Sequence, residues 1–332
     1  MEYRTLGKTG LRVSEIGFGT GGISELMVTD DHAGQLRVVR EAVRAGVTYF
    51  DTAAGYGAGK SESNLGRALK TAGGEAVVAT KIRLGPDDLK NPRGAAVASV
   101  ERSLGRLGRD SVDVIQIHNY IAPRREWPVG IATLDVEDVL GPNGVIEGFR
   151  ELRDRGKVNF FGFTGIGDPA SLISLAECGE FHTAQAYFNL LNPSAGHSVP
   201  DGFAAVDYRL LIDRAAAAGL GVLVIRVLAL GALTADPGLL GFLENTPPLL
   251  SVGSEFDRDA RRAGKLAWLV DEDITLAQAA IRFALMKEGV SSVLVGFSNA
   301  DQLEESVTCS KVDGLEPEIM ERLRAIWEKD FS

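Results

Sequence analysis

Short apolar runs alternate along this chain with longer stretches in which apolar residues recur every three or four positions. The short runs are Ile16–Gly19, Thr48–Phe50, Ala76–Thr80, Val112–Ile117, Val158–Phe163, Thr183–Tyr187, Gly221–Val227 and Ser292–Val295. Rich in Val, Ile and Phe and almost unbroken by polar residues, they read as strands buried on both faces. The longer stretches read as amphipathic helices, each closed by a glycine: His32–Ala45 by Gly46, Ser61–Leu69 by Gly73, Ala95–Leu107 by Gly108, Gly144–Arg155 by Gly156, Pro169–Glu177 by Gly179, Tyr208–Ala218 by Gly219 and Thr275–Lys287 by Gly289. Glycine just past a helix supplies the left-handed residue that ends it. Ahead of the first strand, Tyr3–Leu6 and Arg12–Glu15 flank Gly7-Lys8-Thr9-Gly10, the pattern of a β-hairpin. Eight strand–helix units with no linker between them predict an α/β fold, a (β/α)8 TIM barrel with an N-terminal β-hairpin, as one domain over residues 1–332. Two irregular insertions, Asn119–Leu140 and Leu233–Ser254, each follow a strand, which in a barrel places them on the face where sites are built.

The balance of charge narrows the partners. Among 332 residues, 45 Asp and Glu outweigh 35 Lys and Arg, for a net charge of −10. That disfavours nucleic acid and anionic membrane surfaces, both of which attract a basic face. The two cysteines, Cys178 and Cys309, form neither a disulfide framework nor a metal knuckle. The opening residues lack the pattern of a secretory leader, and the longest apolar stretch, Leu220–Leu233, is shorter than a bilayer span. The expectation is a cytoplasmic protein acting on a small molecule, with no membrane and no nucleic acid; the composition carries no signal of an oligomeric state.

The ends of the apolar runs carry the chemistry. The second run leads to Asp51, the third to Lys81 and the fourth to His118, and Tyr56 follows Asp51 in the loop Ala53-Ala54-Gly55-Tyr56-Gly57. Parallel strands deliver these side chains to one rim of a barrel. A free phenol has a pKa near 10 and is a poor acid or base at neutral pH. An ammonium beside it favours the phenolate, an acid pins the ammonium, and an imidazole orients a substrate oxygen. Neither a GxSxG elbow nor HExxH is present, and the histidines have no ligand spacing, so no metal is expected. A Tyr/Lys pair without metal or nucleophile points to carbonyl–alcohol chemistry with hydride carried by a nicotinamide. Gly17-Phe18-Gly19-Thr20-Gly21-Gly22 matches GxGxxG, but the next helix begins only near His32, so it does not read as a dinucleotide fingerprint. These glycines instead let the backbone approach a ligand at the first strand's end.

Several motifs together resemble the aldo-keto reductases: Leu6-Gly7-Lys8-Thr9-Gly10-Leu11, Ser14-Glu15-Ile16-Gly17-Phe18-Gly19-Thr20, Phe50-Asp51-Thr52-Ala53-Ala54-Gly55-Tyr56-Gly57, Ser61-Glu62 with Leu65-Gly66, Thr80-Lys81, and Asp113-Val114-Ile115-Gln116-Ile117-His118. The resemblance spans the whole chain. It implies a barrel whose bottom the hairpin closes and a tetrad in which Tyr56 is the general acid/base, Lys81 lowers its pKa, Asp51 pairs with the lysine and His118 binds the carbonyl. It also implies NAD(P)(H) extended across the barrel mouth. Gly19, Thr20, Asp51, Thr164, Gln185, Leu228, Gly231, Gly296, Ser298, Gln302 and Glu305 would be the cofactor-binding residues, with Gln185 on the nicotinamide amide and Gly296, Gln302 and Glu305 at the adenosine end. Tyr56, His118 and Trp127 would face the substrate.

The chain departs from the family pattern at three places. Gly165 stands for the usual Asn after Thr164, Ile225 and Arg226 replace an aromatic-Ser pair on the seventh strand, and Ser298 falls where NADP-preferring members often carry Arg or Lys. Together with the Asn119–Leu140 insertion, these resemble the aldose dehydrogenase branch, which oxidises a sugar to its lactone. A general aldehyde or ketone reductase is the other reading, because the same residues serve both directions. A rival of another class is a non-catalytic, nucleotide-sensing regulatory subunit. Asp51 and Lys81 also fit a structural ion pair, Thr164 and Gln185 satisfied core polar groups, and Trp127 plain packing.

Overall fold

The chain enters as an antiparallel hairpin of β1 (Tyr3–Thr5) and β2 (Arg12–Ser14) in the computed structural model, which describes residues 1–21, 24–125, 133–234 and 256–332. Then β3 (Ile16–Gly19), β4 (Tyr49–Asp51), β5 (Val77–Ile82) and β6 (Val112–Ile117) follow. After a side ribbon of β7 (Tyr120–Ile121) and β8 (Thr133–Leu134) come β9 (Val158–Gly165), β10 (Thr183–Tyr187), β11 (Gly221–Ile225) and β12 (Val290–Gly296). Apart from the hairpin and the ribbon, these strands pair in chain order, all parallel, and β12 returns to pair with β3, closing a barrel.

Helices cover the outside: α1 (His32–Arg44), α2 (Lys60–Ala72), α3 (Pro92–Leu107), α4 (Val136–Leu140), α5 (Val145–Asp154), α6 (Pro169–Glu177), α7 (Leu211–Ala217), α8 (Phe256–Gly264), α9 (Leu276–Leu285), α10 (Ala300–Thr308) and α11 (Pro317–Glu328). Side-chain caps set several starts; Asp31 accepts from Gly34 N and Asn91 from Gly94 N, satisfying amides the first turn leaves open. The helix-ending glycines Gly46, Gly73, Gly108, Gly156, Gly179, Gly219 and Gly289 all have positive φ, as expected.

The core has two parts. Between strands and helices lies the larger apolar layer, with Phe18, Phe50, Phe149, Phe161 and Phe163 fully buried. Inside the barrel, Leu6 and Val13 from the hairpin pack under Tyr49, Ala79, Val114, Leu223 and Leu294 and seal the floor. The hairpin fits because Gly7, at φ +48°, lies against the start of β11, where an added Cβ would come within 2.1 Å of Gly221 N. Arg4 ties the same hairpin to the far end of the chain, donating to Val290 O at 2.8 Å and Leu285 O at 2.9 Å. On the opposite face Trp327 of α11 donates its indole N–H to Leu190 O at 3.0 Å, holding the segment after β10.

Several expectations change. The seventh strand stops at Ile225 instead of Val227, because Arg226 takes φ +60° and leaves the extended region. Helix α7 starts at Leu211 instead of Tyr208, since Arg209 and Leu210 are left-handed at φ 51° and 58°. The Asn119–Leu140 insertion carries ordered structure, namely the β7–β8 ribbon and α4, whose start Asp135 and Asp138 close with a capping box. Helices α8, α10 and α11 add to those read from periodicity. The other insertion falls almost entirely outside the described residues. Gly17 and Gly19 lie within β3, and the space a Cβ would need at Gly17 is taken by Leu294 and Ser292, so this is a packing glycine of the barrel.

Helices α2 and α3 meet at Gly66, where an added Cβ would sit 2.1 Å from Leu107 O, a backbone atom that cannot turn away. Gly66→Ala is expected to destabilise the protein by about 1–3 kcal/mol in urea unfolding. Gly105→Ala, at an exposed position of α3 with nothing within 4 Å of the new Cβ, is expected to stabilise it by about 0.5–1 kcal/mol. Equal effects at the two positions would show that helix propensity, not close approach, governs Gly66.

Candidate active site

Strand register brings the predicted residues together. Asp51 closes β4, Lys81 lies opposite Gln116 in the β5–β6 pairing, and Thr164 lies opposite Gln185 in the β9–β10 pairing. Alternation sends all of them into the barrel above the apolar floor. Asp51 is 4% exposed and Lys81 1%. The Lys81 ammonium donates to Asp51 Oδ1, to Thr52 O at 2.9 Å and to the Tyr56 hydroxyl oxygen at 3.4 Å. The second carboxylate oxygen of Asp51 accepts from Gln116 Nε2 at 3.0 Å and Gln185 Nε2 at 2.9 Å, and Thr164 donates to Gln185 Oε1 at 3.2 Å. Every charge in this buried group therefore has a partner, which its burial requires.

Burial pushes the Asp51 carboxyl up, and the Lys81 ammonium with the two amide donors pulls it only part of the way back. Burial pulls Lys81 down, but Asp51 and Tyr56 outweigh it, so the ammonium is held above its ordinary value. Tyr56 itself is half-buried in the loop after β4, its backbone N–H donating to Ala53 O at 3.1 Å, and Lys81 Nζ lies 5.0 Å from its ring centroid. Its ring meets His118 edge to face, centroids 5.4 Å apart. His118 follows β6, anchored by its backbone N–H to Ile82 O at 2.8 Å. Burial first, then the charges of Lys81, Arg83 and Arg226, hold its pKa well below 6.5.

The remaining expected residues lie around the rim. Gly19 closes β3, and Thr20 after it is fully buried, donating to Asp51 O at 3.0 Å and accepting from Ser61 at 2.7 Å. Gly21 stands beside the phenol, with Tyr56 Cζ 3.8 Å from an added Cβ. Leu228 and Gly231 bracket a short turn after β11, both half-buried. Gly296 closes β12, Ser298 is exposed and donates its backbone N–H to Gln302 Oε1 at 2.8 Å, and Glu305 on α10 accepts from Thr275 Oγ1 at 2.6 Å. Trp127 lies outside the described residues. Gln116 was not singled out from the sequence, although it is a direct donor to Asp51; an amide two residues before His118 in an apolar strand was its only signal. Among the described residues, no cluster of three His, Cys, Asp or Glu could hold a metal ion, and no helix is long and apolar enough to cross a membrane.

A depressed histidine pKa means that the unfolded chain takes up the proton first, so stability falls as pH drops below about 6.5. The His118 ring is expected to stay neutral from about pH 8 to about 6 in a titration followed by its ring nitrogen shifts. A midpoint at or above about 6.5 would show that neither its burial nor the surrounding cations depress it.

Comparison with known proteins follows the same lines. Residues 15–328 match the profile of the Aldo/keto reductase family. L-galactose dehydrogenase of Arabidopsis thaliana is 28% identical over 99% of this chain and 95% of its own. A probable voltage-gated potassium channel subunit beta of Oryza sativa subsp. japonica is 28% identical over 98% of this chain and 96% of its own. The holo structure of the aldo-keto reductase AKR11C1 from Bacillus halodurans superposes with a TM-score of 0.72 over 99% of this chain and 97% of that one, at 21% identity, a likeness of fold. With its barrel, its hairpin floor and a family match running almost from end to end, this chain belongs to the aldo/keto reductase family.

Proposed function

We propose that Tyr56 moves the proton in a carbonyl–alcohol interconversion, with Lys81, Asp51 and His118 as its partners. The observation that carries this reading is the single buried ammonium of Lys81, shared between Asp51 and the Tyr56 hydroxyl. As a family member the protein is an NAD(P)(H)-dependent oxidoreductase. Neutral His118 can donate a ring N–H to a substrate oxygen, which a protonated ring beside Lys81 would do only at a cost. In reduction, the substrate oxygen takes the Tyr56 proton as its carbon receives hydride. The phenolate left behind is stabilised by Lys81, whose charge Asp51 balances. In oxidation, the phenolate takes the alcohol proton as hydride leaves the carbon.

The residues at the mouth fit a nicotinamide dinucleotide. Thr164 donates to Gln185 and Gln185 to Asp51, which leaves the Thr164 oxygen as an acceptor and the second amide N–H of Gln185 as a donor for a carboxamide. At the other end Gly296 and Ser298 are exposed, and an added Cβ at Gly296 would have no atom nearer than 3.4 Å. When bound, the cofactor supplies or accepts the hydride. Thr164 and Gln185 would hold its carboxamide, Gly19, Thr20, Leu228 and Gly231 its middle, and Gly296, Ser298, Gln302 and Glu305 its adenosine end.

Similarity to L-galactose dehydrogenase over the length of the chain favours a second reading, oxidation of an aldose at its anomeric carbon to a lactone. The same residues serve it, with Tyr56 taking the anomeric hydroxyl proton. Likeness to a probable channel subunit is the ground for the rival reading, a regulatory subunit. Burying Lys81 beside Asp51 and against a phenol is costly, and binding alone does not require it.

Tyr56→Phe is expected to lower kcat by about 10²–10⁴-fold while cofactor affinity, read by nicotinamide fluorescence, is retained. A residual rate above about a tenth of wild type with a reactive aldehyde would remove Tyr56 from the proton path.

Cofactor choice gives a second test. From Gly296 to Glu305 the chain offers Ser298 and Asn299, then Asp301, Glu304 and Glu305, with no Lys or Arg before Lys311. A 2′-phosphate ordinarily calls for a cationic partner. NAD(H) is therefore expected to bind at least comparably to NADP(H) in direct titration. A preference for NADP(H) above about 100-fold would mean that a basic residue from elsewhere reaches the phosphate.

A further inference from the structure

A second buried charge lies behind the proton path, between the barrel and its helices, and takes no part in the chemistry. Glu62, in the first turn of α2, has no exposure. One of its carboxylate oxygens accepts from the Thr80 hydroxyl, and the other from Arg106 Nε of α3 at 2.5 Å. Arg106 Nη2 in turn donates to Ser103 Oγ at 3.0 Å. Removing a carboxylate from water is costly even when it is paired, and both ends of this group lead to the site. Thr80 is the residue before Lys81 in β5, and alternation turns its hydroxyl out toward the helices while Lys81 points inward. Arg106 lies against the turn that follows Tyr56: an added Cβ at Gly59 would sit 2.5 Å from its Cδ.

That turn is strained. Gly57, Ala58 and Gly59 are left-handed in succession, at φ 56°, 53° and 93°. A left-handed alanine persists only where its surroundings hold it. Here the start of α2 does so: Lys60 N–H donates to Tyr56 O and Gly57 O, and Ser63 Oγ donates to Gly59 O at 3.3 Å. Inside the barrel the Tyr56 hydroxyl and the Lys81 ammonium meet at 3.4 Å. Outside it the same two strand and loop segments are joined a second time, through Gly59, Arg106, Glu62 and Thr80.

We propose that Glu62 and Arg106 are positioning residues, which fix the reach between Tyr56 and Lys81 by bracing the turn against β5 from outside the barrel. This rests on the reading that Tyr56 moves the proton. The support an ammonium gives a phenolate falls with their separation, so slackening the brace makes the phenol harder to ionise than in the wild type. The titratable groups that face the phenol, Lys81 and His118, stay in place in every variant used below, as does Asp51 behind Lys81.

The variants are Thr80→Val, Glu62→Gln, Arg106→Met and Arg106→Lys, each checked for folding by urea unfolding. Ultraviolet titration of tyrosinate, in paired samples with and without Tyr56→Phe, isolates the phenol without cofactor or turnover. The pH dependence of kcat/KM for oxidation of 4-nitrobenzyl alcohol is the second reading. Thr80→Val and Arg106→Met are expected to move both midpoints up by about 0.5–1 pH unit, a three- to tenfold loss of oxidation below the midpoint. Arg106→Lys, which keeps a cation for Glu62, should recover at least half of the shift. A brace that serves stability alone would lower the urea midpoint and leave both pH midpoints unmoved, and that result would overturn the proposal. Should Glu62→Gln fail to fold, Thr80→Val and Arg106→Met decide the matter, since each leaves the carboxylate one partner. A shifted phenol titration with an unmoved pH–rate profile would support the brace while removing Tyr56 from the proton path.

Discussion

Two opposite charges, Asp51 and Lys81, lie inside the barrel with almost no exposure, and the upper half of the barrel is arranged around that fact. Removing ions from water costs several kcal/mol each, and a buried pair recovers this only when its remaining hydrogen-bonding capacity is met. Here Thr52 O and Tyr56 complete the ammonium, while Gln116 and Gln185 complete the carboxylate. The partners come from β4, β5, β6 and β10, so the network links strands from opposite sides of the closed sheet. A slip of one residue in β5 would turn Lys81 outward and leave Asp51 as an unpaired charge. The chemistry of the site and the register of the barrel are therefore enforced by the same contacts.

Beneath that polar layer the barrel is closed by hydrocarbon. Leu6, Val13, Val114, Leu223 and Leu294 pack as one buried apolar cluster under the charged group. The low-dielectric floor strengthens each electrostatic contact above it. One imidazole at the rim is held neutral for two reasons that act together: the ring has lost much of its water, and the charges that reach it are cations that oppose a second positive charge.

The architecture was legible because its signals are repeated. Seven of the eight apolar runs were followed by a helical period and a closing glycine, and two misplaced boundaries fell where backbone geometry departs from any periodic rule. Arg226, Arg209 and Leu210 all adopt left-handed conformations that hydrophobic patterning does not encode. At the site, the ionisable residues at strand ends stood out against apolar neighbours, and the structure places Asp51, Tyr56, Lys81 and His118 within one group of contacts. Gln116 escaped notice because an uncharged amide within a strand signals nothing until its partner across the barrel is known. Thr20 was read as facing a ligand, yet its hydroxyl also joins the ends of β3 and β4 through Asp51 O and Ser61. Sequence position alone does not separate those duties.

The pairing of β12 with β3 has a consequence for how the molecule comes into being. A chain emerging from the ribosome at about 5–20 residues per second offers β3 to solvent long before β12 exists. During that interval the nascent sheet has two open edges of apolar strands, the arrangement most inclined to recruit a neighbouring chain. The hairpin floor waits as well, because Arg4 finds Leu285 O and Val290 O only when the last strand arrives. Closure of the barrel thus waits for β12, and crowding of nascent chains is a hazard this topology builds in.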